Sequence, residues 1–229
     1  MSIIKKSVND FIEQLETEFK RNANPEIAVG QKAYMKNKFE FYGIKTPLRR
    51  EIQRPFLDKK YLPSKKEIQK IIKTLWLKPE REYQYFAQEL TYKYVKLFEK
   101  KDIELFEFMI IHGSWWDSID FIASNLLGEY FKLYPKQTDK YMKKWMASKN
   151  IWLQRSAILF QLKYKNKLDT VLLVSIINSL LGSKEFFINK AIGWILREYS
   201  KTNPKWVVEF CKKTELQKLS RYEALRLIK

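Results

Sequence analysis

The sequence has little of several residue types, and each shortage excludes a class of protein. Its 229 residues include one cysteine, Cys211, which rules out an internal disulfide framework and fits a reducing cytoplasm. The single histidine, His112, makes a Ser-His-Asp triad or a Cys/His zinc site hard to build. Because it precedes Gly113, we interpret it as a helix-end residue. We expect neither a metal ion nor another cofactor.

Long apolar runs are also missing. No window approaches the roughly 18 uninterrupted apolar residues of a membrane-spanning helix. The amino-terminal segment MSIIKKSVNDFIEQ reaches acidic residues before any long apolar run, so we expect no secretory signal and a cytoplasmic location. Six glycines and seven prolines are few for this length and argue against a turn-rich β protein.

The apolar residues that are present recur at helical spacing. Across residues 8–19 and 68–76 they repeat in steps of three and four, which predicts amphipathic helices. Prolines at positions 25, 47, 63, 79, 135 and 204 fall between such segments, where helices begin or end. The chain is predicted to be all-α and to form a single domain, residues 1–229, with a sizeable core.

Five short segments resemble one another and indicate an internal repeat. In each, a polar residue comes just before or within an apolar helical run, and aligning these residues gives steps of 36, 38, 35 and 31. Such a period fits antiparallel helix pairs stacked as a solenoid of HEAT-like repeats. Equivalent helices of stacked pairs line one concave face, so the basic members are predicted to form a basic track along it. The aligned residues are Arg81, Asp117, Arg155, Lys190 and Arg221.

Positive charge is in large excess. There are 44 lysines and arginines against 26 acids, a net charge of +18, which is typical of a nucleic-acid binder, with an anionic membrane surface as the rival partner. Residues 132–167 hold ten basic residues and one acid. Within them a lysine stripe lies opposite Tyr141 and Trp145, and we predict that it contacts phosphates rather than being only a solvated surface. The stripe consists of Lys136, Lys140, Lys143 and Lys144.

The segment SWWDSID, residues 114–120, places two tryptophans before two aspartates. Trp116 and Asp120 are four residues apart and share one face of a helix. Ser114 and Asp117 predict a capping box that puts both in the first turns of that helix. A lone acid in a polyanion-binding face repels phosphates, so chemistry on a cation best explains it. The competing interpretation is that Trp116 is core and Asp120 is solvated.

Seven motifs spread over nearly the whole chain carry a family resemblance. They are YMKN (34–37), GIKTP (43–47), LKPERE (77–82), SWWDS (114–118), NIWLQR (150–155), KEFFI (184–188) and GWILREY (193–199). In order and spacing they resemble the AlkD-type alkylpurine DNA glycosylases, which are built from HEAT-like repeats. The resemblance implies a DNA glycosylase that removes N3- and N7-alkylated purines from double-stranded DNA, as a monomer.

The resemblance also implies a set of site residues. Asp120 matches the catalytic carboxylate, and Trp116 and Trp194 match the aromatic residues beside it. Tyr34 matches a tyrosine that closes the cleft from the amino-terminal side. Two arginines match those that hold phosphates around the damaged nucleotide: Arg155 and Arg197. Four other aromatic residues of these motifs are interpreted as core and left out of the site: Trp115, Trp152, Phe186 and Phe187.

The residues also fit this chemistry without the family. A purine alkylated at N3 or N7 is cationic and leaves without protonation, so one carboxylate is enough where glycosidases ordinarily use two. Aromatic faces stabilise the positive charge of the sugar or base.

Three alternatives stay open. A non-catalytic DNA-binding solenoid gains nothing from Asp120, and a protein-interaction scaffold is disfavoured by the charge. A bifunctional lyase acting through a lysine is not excluded by composition, although the resemblance argues against it.

Overall fold

Helices make up the regular structure of residues 7–228, the part of the chain that the computed structural model describes. Within that part the only β-type pairing is an isolated bridge between Glu40 and Glu80. The all-α prediction is confirmed. The α-helices are α1 Val8–Arg21, α2 Pro25–Tyr34, α3 Thr46–Gln53, α4 Lys65–Trp76, α5 Arg81–Tyr92, α6 Asp102–Ile111, α7 Trp116–Phe121, α8 Gly128–Leu133, α9 Thr138–Ala147, α10 Ile151–Leu159, α11 Thr170–Asn178, α12 Phe186–Ser200, α13 Pro204–Lys213 and α14 Lys218–Leu225.

Local signals explain where these helices begin. The Ser7 hydroxyl caps α1 by accepting from the backbone amide of Asp10 at 3.1 Å, and Ser64 with Glu67 forms a capping box at α4. Pro25 and Pro204 occupy the first positions of α2 and α13, where a missing amide hydrogen costs nothing. The predicted apolar stripes of α1 and α4 are confirmed as buried: Phe11, Ile12, Leu15 and Phe19, then Ile68, Ile71, Ile72, Leu75 and Trp76.

The chain separates into two compact units, one ending at Leu97 and the other beginning at Phe98. A single domain over residues 1–229 stays a prediction. The absence of a secretory signal was judged partly on residues 1–6, which lie outside the described residues. No helix within residues 7–228 is long and apolar enough to cross a lipid bilayer.

In the first unit, the loop after α2 is fixed by the buried carboxylate of Glu82. It accepts from the backbone amides of Tyr42, Gly43 and Ile44 at 3.2, 3.1 and 3.1 Å. Burial raises the pKa of Glu82. Gly43 has a φ of +84°, and a Cβ there would come within 1.9 Å of the Asn24 carbonyl oxygen. Only glycine fits this turn.

In the second unit, four helices pack side by side in a row: α7 on α10, α10 on α12 and α12 on α14. Each of them is preceded in the chain by another α-helix of this unit, as expected of stacked helix pairs. The aligned repeat residues Asp117, Arg155, Lys190 and Arg221 each lie within the first five positions of one of these helices. The sequence period therefore marks real structural equivalence in this unit.

The predicted basic track is wrong for two of its members. Arg81 is fully buried, with its guanidinium carbon 4.0 Å from the centre of the Phe39 ring, and Arg155 is 3% exposed. Both guanidinium groups are held by protein partners instead of lining an exposed face. Lys190 and Arg221 are partly exposed.

Candidate active site

The helix that carries Trp116 and Asp120 does not begin in the way the sequence predicts. Helix α7 starts at Trp116, directly after an extended Trp115 with no side-chain cap. The Ser114 hydroxyl instead donates to the backbone carbonyl oxygen of Ile110 at 2.5 Å. The predicted capping box is wrong, because the preceding helix offers this hydroxyl an acceptor four residues back. Trp116 and Asp120 still lie one turn apart on α7, as predicted.

A π-helical segment, Ile122–Leu127, follows α7 without a break and leads into α8. Within it, the Ser124 hydroxyl donates to the backbone carbonyl oxygen of Asp120 at 2.7 Å. π-Helical turns are rare and occur frequently at functional sites. The π-helical segment begins two residues after Asp120, which favours a functional role for that carboxylate.

Asp120 forms a two-pronged ion pair with Arg155 of α10. Nε of Arg155 donates to Oδ1 of Asp120 at 2.8 Å, and Nη2 donates to Oδ2 at 3.0 Å. Nη1 donates to the backbone carbonyl oxygen of Phe187, at the start of α12, at 2.5 Å. One guanidinium therefore ties three adjacent helices together. A fork of this kind fixes the orientation of the carboxylate as well as its charge.

This arrangement gives Arg155 partners that the sequence did not reveal. The resemblance implies that Arg155 holds a phosphate, and that role stays a prediction. In the structure, its nitrogen donors meet Asp120 and Phe187. Arg155 thereby fixes the orientation of the Asp120 carboxylate.

Opposing effects act on the pKa of Asp120. Burial raises the pKa and is the larger effect, whereas the charge and hydrogen bonds of Arg155 lower it, and the net pKa lies above that of an ordinary aspartate. The nearby charge of Asp117 adds to the increase. The Asp120 side chain is 16% exposed, so part of it is accessible from outside.

Trp116 and Trp194 are both partly exposed, and they lie on helices of the same row, α7 and α12. Arg197 follows Trp194 by three residues, so the two share one side of α12. Nη1 of Arg197 donates to the carboxylate of Glu223 on α14. The catalytic and phosphate-binding roles of these residues stay predictions.

An aromatic cluster beside the ion pair was missed at the sequence level. The ring centres of Trp115, Trp152 and Phe187 lie 5.7, 5.0 and 5.0 Å apart, and all three side chains are only partly buried. The guanidinium carbon of Arg155 lies 6.0 Å from the centre of the Phe187 ring. Phe186 is 57% exposed, so its interpretation as core is wrong. The sequence signal that could have indicated this cluster is the presence of aromatic residues in both the NIWLQR and the KEFFI motifs.

The lysine stripe is exposed, as predicted, while Tyr141 and Trp145 on the other side of α9 are buried. Two of its members already have acidic partners. Nζ of Lys143 lies 2.8 Å from Asp139, and Nζ of Lys144 lies 2.8 Å from Glu107. Phosphate contact by the stripe stays a prediction. Because Lys143 and Lys144 form these ion pairs, Lys136 and Lys140 are the better candidates for contacting phosphate.

Two further predictions concern Tyr34 and His112. Tyr34 is the last residue of α2 in the first unit and is 68% exposed, and its role in closing a cleft stays a prediction. His112 is the C-terminal cap of α6, and its interpretation as a helix-end residue is confirmed. Among residues 7–228, no three histidine, cysteine or acidic side chains come together in a group able to hold a metal ion.

These features define a class of protein: an all-helical repeat protein of high positive charge, with a partly buried, oriented carboxylate flanked by partly exposed aromatic residues. The family model described as DNA alkylation repair enzyme matches residues 15–228. The chain therefore belongs to the DNA alkylation repair enzyme family, as the sequence motifs predicted.

A solved structure supports the same assignment. The predicted DNA alkylation repair enzyme from Enterococcus faecalis is similar to this chain with a TM-score of 0.84 and 34% sequence identity, over 90% of this chain and 96% of that one. No match was found among the curated proteins.

Proposed function

We propose that this protein is a monofunctional DNA glycosylase that hydrolyses the N-glycosidic bond of N3- and N7-alkylated purines in double-stranded DNA, thereby starting base excision repair. The observation that carries the proposal is the ion pair of Asp120 and Arg155. Both oxygens of this partly buried carboxylate are held by one guanidinium, in a chain of net charge +18. Membership of a DNA alkylation repair family supports DNA as the substrate.

The reaction needs no general acid, because the leaving base is already cationic. As the bond between C1′ and the base nitrogen breaks, its electron pair neutralises the base and leaves positive charge on the sugar. Water then forms a new bond to C1′ and releases a proton. Asp120 stabilises the positive sugar and orients the water, and the proton passes through its carboxylate to solvent.

Arg155 leaves the carboxylate able to do this work. A carboxylate oxygen has two lone-pair sites, and each oxygen of Asp120 accepts one bond from Arg155. One site on each oxygen is left for water or for attraction to the sugar. The guanidinium also lowers the pKa of Asp120 against the larger effect of burial, which favours the ionised form.

Aromatic and basic residues complete the proposed site. Trp116 and Trp194 present π-faces to the cationic nucleotide, an interaction worth roughly 0.5–2 kcal/mol each. Arg197 and the lysine stripe contact phosphates, and Tyr34 also contacts the DNA. The protein acts as a monomer and binds double-stranded DNA through these basic residues. The basic residues attract the polyanionic DNA, and the partly buried Asp120 stabilises the cation.

The direct test is base release from defined duplexes, each with one lesion, followed by chromatography of the free bases. We expect 3-methyladenine and 7-methylguanine to be released, and uracil and hypoxanthine to be released at least about 10²-fold more slowly, because neutral bases need a proton donor. No release of either cationic base would support the alternative, a non-catalytic protein that binds distorted or branched DNA. Efficient uracil release would contradict the one-carboxylate mechanism.

The lysine stripe makes a separate prediction about binding. Replacing Lys136 and Lys140 with glutamine should reduce the slope of log affinity against log salt by about 1.8, because each lost phosphate contact removes about 0.9 from it. The measurement is fluorescence anisotropy of undamaged duplex DNA over a salt series. The double variant Lys65→Gln/Lys66→Gln, which removes equal charge from α4, serves as the control. An unchanged slope in the stripe variant would show that Lys136 and Lys140 do not contact phosphates and form only a solvated surface.

A further inference from the structure

One side of α12 carries two cations around a tryptophan. Lys190, Trp194 and Arg197 are spaced four and three residues apart, so they share one side of the helix. Both cations meet a single carboxylate from α14, that of Glu223. Nζ of Lys190 lies 2.5 Å from its Oε1, and Nη1 of Arg197 donates to its Oε2. Each carboxylate oxygen thus takes one cation.

Glu223 is the buried member of this cluster. Its side chain is 5% exposed, whereas those of Lys190 and Arg197 are 41% and 23% exposed. The cluster has two positive charges and one negative charge, which leaves one net positive charge on the exposed side. The two cations also lower the pKa of Glu223, which is therefore ionised at neutral pH.

Close packing of the two helices explains why the carboxylate lies there. A Cβ at Gly193 would be 2.5 Å from the Cβ of Glu223 and 3.0 Å from the Ser220 carbonyl oxygen, so only glycine permits this approach. The Ser220 hydroxyl donates to the backbone carbonyl oxygen of Asn189 at 2.9 Å. The backbone of α14 is thus fixed against α12 on both sides of the glycine.

We propose that Glu223 is a positioning residue, which holds the side chains of Arg197 and Lys190 beside Trp194 so that the Arg197 guanidinium is already in place when a nucleotide phosphate arrives. The inference rests on the proposed function. A flexible arginine must lose rotamer freedom when it binds a phosphate, and a buried partner removes much of that loss beforehand. Glu223 itself touches no substrate.

A positioning role and a purely structural role predict different results for Glu223→Gln. The variant loses one negative charge near the DNA, so affinity for undamaged duplex should be equal or higher. With Arg197 no longer held, the single-turnover rate of 7-methylguanine release at saturating enzyme should fall about tenfold. If Glu223 only joins α14 to α12, binding, rate and thermal stability should fall together.

The experiment is a double-mutant cycle with Glu223→Gln, Arg197→Ala and the double variant, measured as single-turnover rates and duplex affinities. Because Glu223 is proposed to act through Arg197, the double variant should be no slower than Arg197→Ala. Glu223→Asp, which keeps the carboxylate, should restore part of the rate. Glu198→Gln is the matched control and should keep the parental rate. It removes an acid of the same helix that pairs with Lys201, the residue following α12.

Additive losses in the cycle, or a parental rate for Glu223→Gln, would overturn the positioning role. Failure of the proposed function gives a different result, namely a parent protein that releases no base from any lesion. Duplex affinities can be measured whether or not the parent protein releases bases. Weaker binding by Glu223→Gln than by the parent protein would also contradict the positioning role.

Discussion

Replacing Asp120 with asparagine is expected to slow the release of 7-methylguanine by at least about 10²-fold, because it removes the charge that faces the developing cation on the sugar. Asparagine has nearly the same shape and can still accept a hydrogen bond from Arg155. The rate should be measured in single turnover with enzyme in excess over the duplex. Affinity for undamaged DNA should not decrease, since an acid has been lost from a basic protein.

The structure adds a control that this experiment requires. Arg155 is 3% exposed, and in Asp120→Asn it loses its counter-ion, which destabilises a buried charge. Thermal unfolding should therefore be recorded, and rates compared well below the lower of the two melting temperatures. Glu129→Gln, which removes a surface acid paired with Lys132, should keep the parental rate. A parental rate for Asp120→Asn would exclude Asp120 as the catalytic carboxylate.

Replacing Arg155 with glutamine should change the pH dependence of the reaction as well as its rate. Base release needs ionised Asp120, so the rate should rise with pH through the pKa of that group. Burial raises this pKa and Arg155 lowers it, so loss of the guanidinium should raise it further and move the acid limb to higher pH. At neutral pH we expect the rate to fall at least about tenfold from lost orientation, with a larger loss toward lower pH.

Rates measured from pH 4.5 to about 9 in Arg155→Gln and Arg155→Lys separate these contributions. Lysine keeps the charge but not the fork, so its acid limb should lie between those of the parent and Arg155→Gln. If the limb stays in place while the rate falls in both variants, Arg155 acts on phosphate or on folding and not on the charge of Asp120.

The sequence was sufficient where the signal was local. The shared face of Trp116 and Asp120, the amphipathic α9 and the buried stripes of α1 and α4 all follow from residue spacing within one helix. The all-α fold class and the family could likewise be predicted, because the motifs occur along the chain in a fixed order.

Spacing fails where the partner lies on another helix. Nothing in the NIWLQR motif shows that Arg155 is buried against Asp120, or that Arg81 lies beneath the Phe39 ring, because charge predicts exposure unless a counter-ion or ring is near. The prediction for Ser114 failed for a similar reason, because its hydroxyl donates to the Ile110 carbonyl oxygen of the preceding helix, outside the SWWDSID segment. The aromatic cluster of Trp115, Trp152 and Phe187 is assembled from three separate motifs, so no single one indicates it.

The pairing of Asp120 with Arg155 has a consequence for the range of the electric field at the site. Two opposite charges 2.8 Å apart form a dipole, whose potential decays with distance faster than that of an isolated charge. DNA phosphates many ångströms away therefore experience almost no repulsion from the acid and are attracted by the remaining lysines and arginines. A cation within a few ångströms of the carboxylate, on the side away from the guanidinium, still experiences mainly the near, negative end. Asp120 therefore repels distant DNA phosphates very little. It still strongly attracts a positively charged sugar in contact with its carboxylate.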